Sequence, residues 1–206
     1  MATGVSELVA GYHRFRDHYF VADRTLYEGL AQSGQSPLAL VIGCCDSRVD
    51  PAILTDCRPG DLFVIRNVAN LVPPCESGGL YHGTSAALEF GICDLEIPEL
   101  IVLGHAQCGG IRSMVEGVKR SDSFISDWMQ MATPVCTHAR EIANGRPFIR
   151  VCEQEAIRLS LGNLLTFPWI RDRVERGKLT LHGWYFDLEA GELLRYEPQT
   201  GVFESL

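Results

Sequence analysis

The period of the apolar positions changes several times along this chain. Leu8, Tyr12, Phe15, Tyr19, Leu26 and Leu30 recur at roughly helical spacing, which predicts an amphipathic helix over residues 6–31. Three short, wholly apolar runs follow: Leu38–Gly43, Leu62–Ile65 and Leu100–Leu103. Strands buried on both faces of a parallel sheet read this way, because helices cover them above and below. Between the second and third runs, Gly78–Leu95 has helical composition. Beyond residue 110 several helices are expected, the clearest over 150–166, with Pro168 interrupting it. Lys178–Leu188 alternates in part. Glu189-Ala190-Gly191 then reads as a turn into a last strand, Glu192–Tyr196. The pattern predicts an α/β fold: one domain over 1–206, with a mostly parallel β-sheet flanked by helices. Residues 1–31 form an N-terminal helical arm outside the alternating core, placed to pack across a second subunit.

Composition narrows the class. The chain has 206 residues, 46% of them hydrophobic and 21% charged, as in ordinary soluble domains. A formal net charge of -8, with no run of Lys and Arg, argues against a nucleic-acid partner. The apolar runs are far too short to span a bilayer, so no membrane partner is expected. The start, MATGVSELVAGYHRF, lacks a basic stretch leading into an apolar one, so no secretory signal is read. The eight cysteines therefore point to a reducing, cytoplasmic location, as core residues or metal ligands rather than a disulfide framework.

Two motifs carry chemistry because of where they fall. Cys44-Cys45-Asp46-Ser47-Arg48 follows the first predicted strand, and His105-Ala106-Gln107-Cys108-Gly109-Gly110 follows the third. Ligand sites in open parallel sheets lie beyond the carboxyl ends of the strands, so these loops are expected to face one another. Catalytic zinc takes three protein ligands from thiolates, imidazoles or carboxylates and keeps a fourth position open. Cys44, His105 and Cys108 make such a set. The competing interpretation is a pair of small buried thiols beside a satisfied loop histidine. Cys45 is the rival ligand, but an extended backbone points its side chain away from that of Cys44. Two thiolates cancel the charge of a divalent ion, so such a centre acidifies water less than a three-histidine site. A nearby acceptor would compensate. Asp46 is placed for this, with Arg48 as its bidentate clamp; a plain turn-stabilising ion pair is the alternative.

The segments G-C-C-D-S-R-V, F-V-I-R-N-V-A-N and G-H-A-Q-C-G-G-I, in this order and separation, resemble the β-class carbonic anhydrase signature. So do S-L-G-N-L-L-T-F-P-W-I and L-H-G-W-Y-F-D-L, and the resemblance runs from about Gln35 to Leu194. It implies one zinc per subunit on Cys44, His105 and Cys108, with Asp46 and Arg48 as the catalytic dyad. The implied reaction is reversible hydration of carbon dioxide to bicarbonate and a proton, by attack of zinc-bound hydroxide. Rivals are carbonyl sulfide or carbon disulfide hydrolysis on the same fold and, from another class, a non-catalytic zinc or thiol sensor. Gln35 matches a substrate-binding glutamine of the plant-like branch. Phe63, Val68 and Phe90 match that branch's apolar pocket, although Phe90 stands where Tyr is common. The N–H groups of Gly109 and Gly110, opening a helix, are placed to meet an anionic product. His82 is a candidate proton shuttle. The bicarbonate-regulated branch combines an Arg with a Trp and a Tyr. Here Arg66 remains, but Val41 and Phe186 fill the other places, which implies an unregulated enzyme. The resemblance also implies a homodimer or higher homo-oligomer.

Overall fold

The computed structural model describes residues 3–76, 78, 82–117 and 123–206. Its backbone divides into two compact units, one through Ser36 and one from Pro37 onward.

The first unit does not form the single helix expected over 6–31. It holds α1 (Gly4–Arg14), a wider π-helical segment (Phe15–Phe20) and α2 (Arg24–Ser33), with Asp23 at φ -110 and ψ 32 breaking the helical dihedrals. Aromatic packing accompanies the break. Phe15 and Tyr27 would lie about 18 Å apart along one straight helix, yet their ring centroids are 5.8 Å apart, and Phe20 and Tyr27 lie at 4.9 Å. No residue of α1 or α2 is buried; Leu8, Tyr12 and Tyr19 are all exposed.

The second unit is a six-stranded sheet of order β2-β1-β3-β4-β5-β6. Its strands are β1 (Ala39–Cys44), β2 (Leu62–Asn67), β3 (Glu99–His105), β4 (Thr180–Asp187), β5 (Glu192–Glu197) and β6 (Val202–Ser205). The first four run parallel and the last two antiparallel. The three apolar runs are therefore strands, ending one residue beyond the first run and two beyond the second and third. Glu192–Tyr196 is a strand but not the last. After a turn at Gly201 (φ 72), β6 pairs with β5 in the register Leu194↔Ser205. Four residues are too few to show a period.

Helices complete the layers: α3 (Pro51–Leu54), α4 (Gly83–Glu89), α5 (Gly109–Val115), α6 (Phe124–Gln130), α7 (Thr133–Ile142), α8 (Phe148–Leu164) and α9 (Pro168–Glu175). The stretch read as helical over 78–95 holds α4 and a π-helical turn, Phe90–Asp94; residues 79–81 lie outside the described residues. Pro168 does not merely interrupt a helix but starts one: as the first residue of α9 it sacrifices no hydrogen bond there. Helix α8 packs closely on β3 and β4. A Cβ at Gly104 would lie 2.7 Å from Ile157 Cδ1, and one at Gly183 would lie 2.9 Å from Ile157 Cγ2. The two glycines thus form the groove that seats fully buried Ile157, a burial contributing about 2 kcal/mol. That close approach brings the N-terminal half of α8 under the loop that follows β3.

Candidate metal centre

Cys44 is the last residue of β1 and His105 the last of β3. These strands are neighbours, with Gly43 opposite Leu103. β1 has β2 on one side and β3 on the other, so the chain departs in opposite directions there and leaves a crevice beyond the strand ends. Cys108 follows at the N-cap of α5. One donor atom from each of Cys44, His105 and Cys108 lies within 4.8 Å of the others, and all three residues are buried.

Donor chemistry fits a cation. His105 Nδ1 lies 2.8 Å from the Ala106 carbonyl, which only accepts, so Nδ1 carries the proton and Nε2 presents its lone pair. Among the described residues, Nε2 is buried without a hydrogen-bond partner. An orphaned buried polar atom costs about 1–3 kcal/mol unless something satisfies it. The two sulfurs share a hydrogen bond. Donation from Cys108 holds the Cys44 thiol down at about 4, and backbone N–H groups of Asp46 and Ala69 assist. The same bond to Cys44, together with burial, pushes Cys108 far up. The pair gives up one proton easily and the second only when a positive charge arrives, as a divalent metal would supply. The N–H groups of Ile111 and Gly110 already face the Cys108 sulfur.

Beside the triad, Arg48 clamps Asp46. Nε reaches Oδ1 at 2.9 Å, Nη2 reaches Oδ2 at 2.7 Å, and the Arg48 backbone N–H adds a bond of 3.0 Å to Oδ1. These bonds from Arg48 hold the Asp46 carboxyl well below the usual carboxylate range. Asp46 Oδ2 stands 4.0 Å from His105 Nε2. Arg48 Nη2 also donates to the Gln107 carbonyl at 3.1 Å, tying the two loops together. Arg66 holds the first loop from the other side. It donates to the carbonyls of Cys44 (3.0 Å) and Asp46 (2.7 Å) and to Asp50 Oδ2 (2.9 Å).

The remaining predicted residues fall in different places. Cys45 is exposed and outside the triad. Val68 packs in the apolar cluster that contains Cys44 and Cys108, and exposed Gly109 opens α5. Phe63 and Phe90 face each other, ring centroids 6.1 Å apart, and Phe63 packs against the other large cluster. Phe63 and Val68 thus pack against different clusters within the chain. Gln35 is an exposed residue of the first unit. His82 is exposed, its Nε2 2.9 Å from the Gly78 carbonyl. Val41 is buried with Ile101 and Leu103, and Phe186 packs at the margin of the same cluster.

Sequence reasoning missed Glu153 and Tyr185. Glu153, 3% exposed on α8, accepts from the Cys108 N–H at 3.0 Å and from the Tyr185 hydroxyl at 2.8 Å. Burial raises its carboxyl, against the pull of these donors. The available signal was an acidic residue on the helix face of Ala156, Ile157 and Ser160, where an unpaired carboxylate would not be tolerated.

Comparison with known proteins agrees with this geometry. The family model described as carbonic anhydrase matches residues 39–193. A carbonic anhydrase of Synechocystis sp. is 38% identical over 200 residues, covering 94% of this chain and 71% of that protein. Beta carbonic anhydrase 3 of Arabidopsis thaliana is 34% identical over 194 residues, covering 91% and 74%. Among solved structures, the β-carbonic anhydrase CcaA superposes with a TM-score of 0.90 at 36% identity, covering 100% of this chain and 93% of that one.

Proposed function

The chain belongs to the β class of the carbonic anhydrase family, and on that premise we propose that it hydrates carbon dioxide to bicarbonate and a proton, reversibly, with one zinc ion per subunit on Cys44, His105 and Cys108. One observation carries the reading: a buried Cys-His-Cys triad, its imidazole Nε2 without a hydrogen-bond partner among the described residues, lies beside a carboxylate held bidentate by arginine. Zinc, when bound, acts as a Lewis acid that makes water a nucleophile near neutral pH. Asp46, kept ionised by Arg48, accepts a hydrogen bond from the attacking water and aims its lone pair at the carbon. Arg48 and Arg66 hold Asp46 back on its own loop. Val68 supplies an apolar wall, as suits a small uncharged substrate.

The same reading makes the protein a homo-oligomer. Gln35, Phe63, Val68, Phe90 and Gly109 are assigned to substrate binding, with Gln35 and the segment of residues 63–68 reaching the metal of the neighbouring subunit. The exposed apolar stripe of α1 supports this assembly. Removing residues 1–30 is expected to abolish both the dimer and activity, checked by sedimentation velocity and stopped-flow hydration. The plant-like, unregulated branch is the proposed one. The donors of Arg66 are engaged by its own loop, and apolar Val41 and Phe186 leave no group to hold an anion with it. Inhibition by bicarbonate is then simple competition, without sigmoidal dependence. A cytoplasmic location is proposed from the eight thiols, which suit a reducing compartment. No helix among the described residues is long and apolar enough to cross a membrane.

The deciding experiment is metal analysis of the purified protein combined with turnover of carbon dioxide, carbonyl sulfide and carbon disulfide. One zinc per chain and preference for carbon dioxide are expected. A protein without zinc, or one faster on a sulfur substrate, overturns the proposal.

A further inference from the structure

Cys108 is the metal-ligand candidate whose backbone is held from beneath by a buried side chain. Its N–H points into the protein and meets Glu153 Oε1 at 3.0 Å. The other carboxylate oxygen, Oε2, takes the hydroxyl of Tyr185 at 2.8 Å. Glu153 is 3% exposed and Tyr185 fully buried, so water does not replace either bond. Tyr185 is itself fixed, with the Arg150 guanidinium 5.6 Å from its ring centroid. Cys108 stands at φ -64 and ψ 120, between the left-handed Gln107 (φ 57) and the first turn of α5. In that tight passage, the direction of its N–H and that of its Cα–Cβ bond are set together. One hydrogen bond at the amide therefore fixes the base from which the sulfur projects.

We propose that Glu153 is a positioning residue for the metal centre: by accepting the Cys108 N–H it holds the Cys108 backbone so that the sulfur meets Cys44 and His105. The proposal rests on the metal-site reading above. Groups that orient a metal ligand from behind are typically worth about 10–100-fold in metal affinity or activity when removed. Glu153 reaches the site through the Cys108 backbone, where its hydrogen bond lies, and its charge also acts on His105. The bond to Cys108 and the bond to Tyr185 are separable. The first bears on the metal; the second satisfies Oε2 and contributes to the fold.

The test compares four full-length variants purified with zinc and follows zinc transfer to a chromophoric chelator. Glu153→Gln keeps an oxygen for the Cys108 N–H and turns its amide toward the Tyr185 oxygen, so release within about 3-fold of wild type is expected. Glu153→Asp falls short of the amide and should release zinc about 10-fold faster. Glu153→Leu, with no acceptor, should release it about 10–100-fold faster. Tyr185→Phe should lower the melting temperature yet release zinc within about 3-fold of wild type. In cobalt-substituted protein, the thiolate-to-cobalt band should shift in Glu153→Asp and Glu153→Leu but not in Tyr185→Phe. If Glu153→Leu does not fold, Glu153→Asp against Glu153→Gln still decides. Equal release rates and unshifted bands in that pair overturn the proposal, as does a Tyr185→Phe variant that loses zinc as fast as Glu153→Asp. A wild-type chain that takes up neither metal overturns the metal-site reading itself.

Discussion

The two loops that meet at the candidate metal centre are built on opposite principles. In the loop after β3, His105, Ala106 and Cys108 are buried and only Gln107 is exposed. It is held by main-chain and buried contacts: Ala106 N–H to the Phe186 carbonyl at 2.9 Å, and Cys108 N–H to Glu153. In the loop after β1, Cys44 is buried but Cys45, Ser47 and Arg48 are exposed, and the stitching is done by charged side chains. Groups that must not move sit where low exposure and satisfied amides fix them. The Asp46 carboxylate, proposed to meet a diffusing small molecule, sits on this more exposed loop. A bidentate, charge-assisted pair and the Arg48 backbone N–H hold its geometry there against water.

Breaking the buried side of this contrast should have the largest effect. Cys108→Ser or His105→Ala removes a metal ligand. Metal content is expected to fall well below one per chain and hydration by on the order of 10³-fold or more, since the metal supplies the activated water. Plasma emission spectrometry and stopped-flow assays check this. A smaller effect should come from the more exposed loop: Asp46→Asn keeps the shape and the metal but loses the anionic acceptor, and hydration should fall by about 10²-fold. Full activity in that variant would make Asp46 a structural loop residue only.

Arg66 tests whether charged stitching carries the first loop. Arg66→Met deletes its bonds to the Cys44 and Asp46 carbonyls and to Asp50. A loss of about 1–3 kcal/mol in urea unfolding is expected, with metal content retained. The smallest effect concerns titration. The Asp46 carboxyl is depressed by its bonds from Arg48. The ion pair therefore stabilises the fold above the ordinary carboxylate value of about 4 and is lost only as pH falls through the much lower folded value. Carbon NMR of Asp46 should show no titration between pH 4 and 7. In Arg48→Met the carboxyl should titrate near about 4 again.

How much of this could be read from residues alone depends on the range of the interaction involved. The three apolar runs, the loops at their ends and the sets Cys44–His105–Cys108 and Asp46–Arg48 were legible. Strand burial and turn chemistry act over a few residues, and parallel connectivity puts strand ends on one side. The resemblance to β-class carbonic anhydrases then placed the chemistry. Other features were decided only in three dimensions. The break in the N-terminal helix comes with ring packing between Phe15, Phe20 and Tyr27, which a helical period does not encode. That Phe63 and Val68 pack against different clusters follows from which layer each faces. Glu153 reads in sequence as one more acid in a helix. It becomes part of the site because Gly104 and Gly183 let α8 approach the sheet closely enough for its carboxylate to reach the amide of Cys108. A hydrogen bond between residues 45 positions apart leaves no local pattern; only packing brings its two ends together.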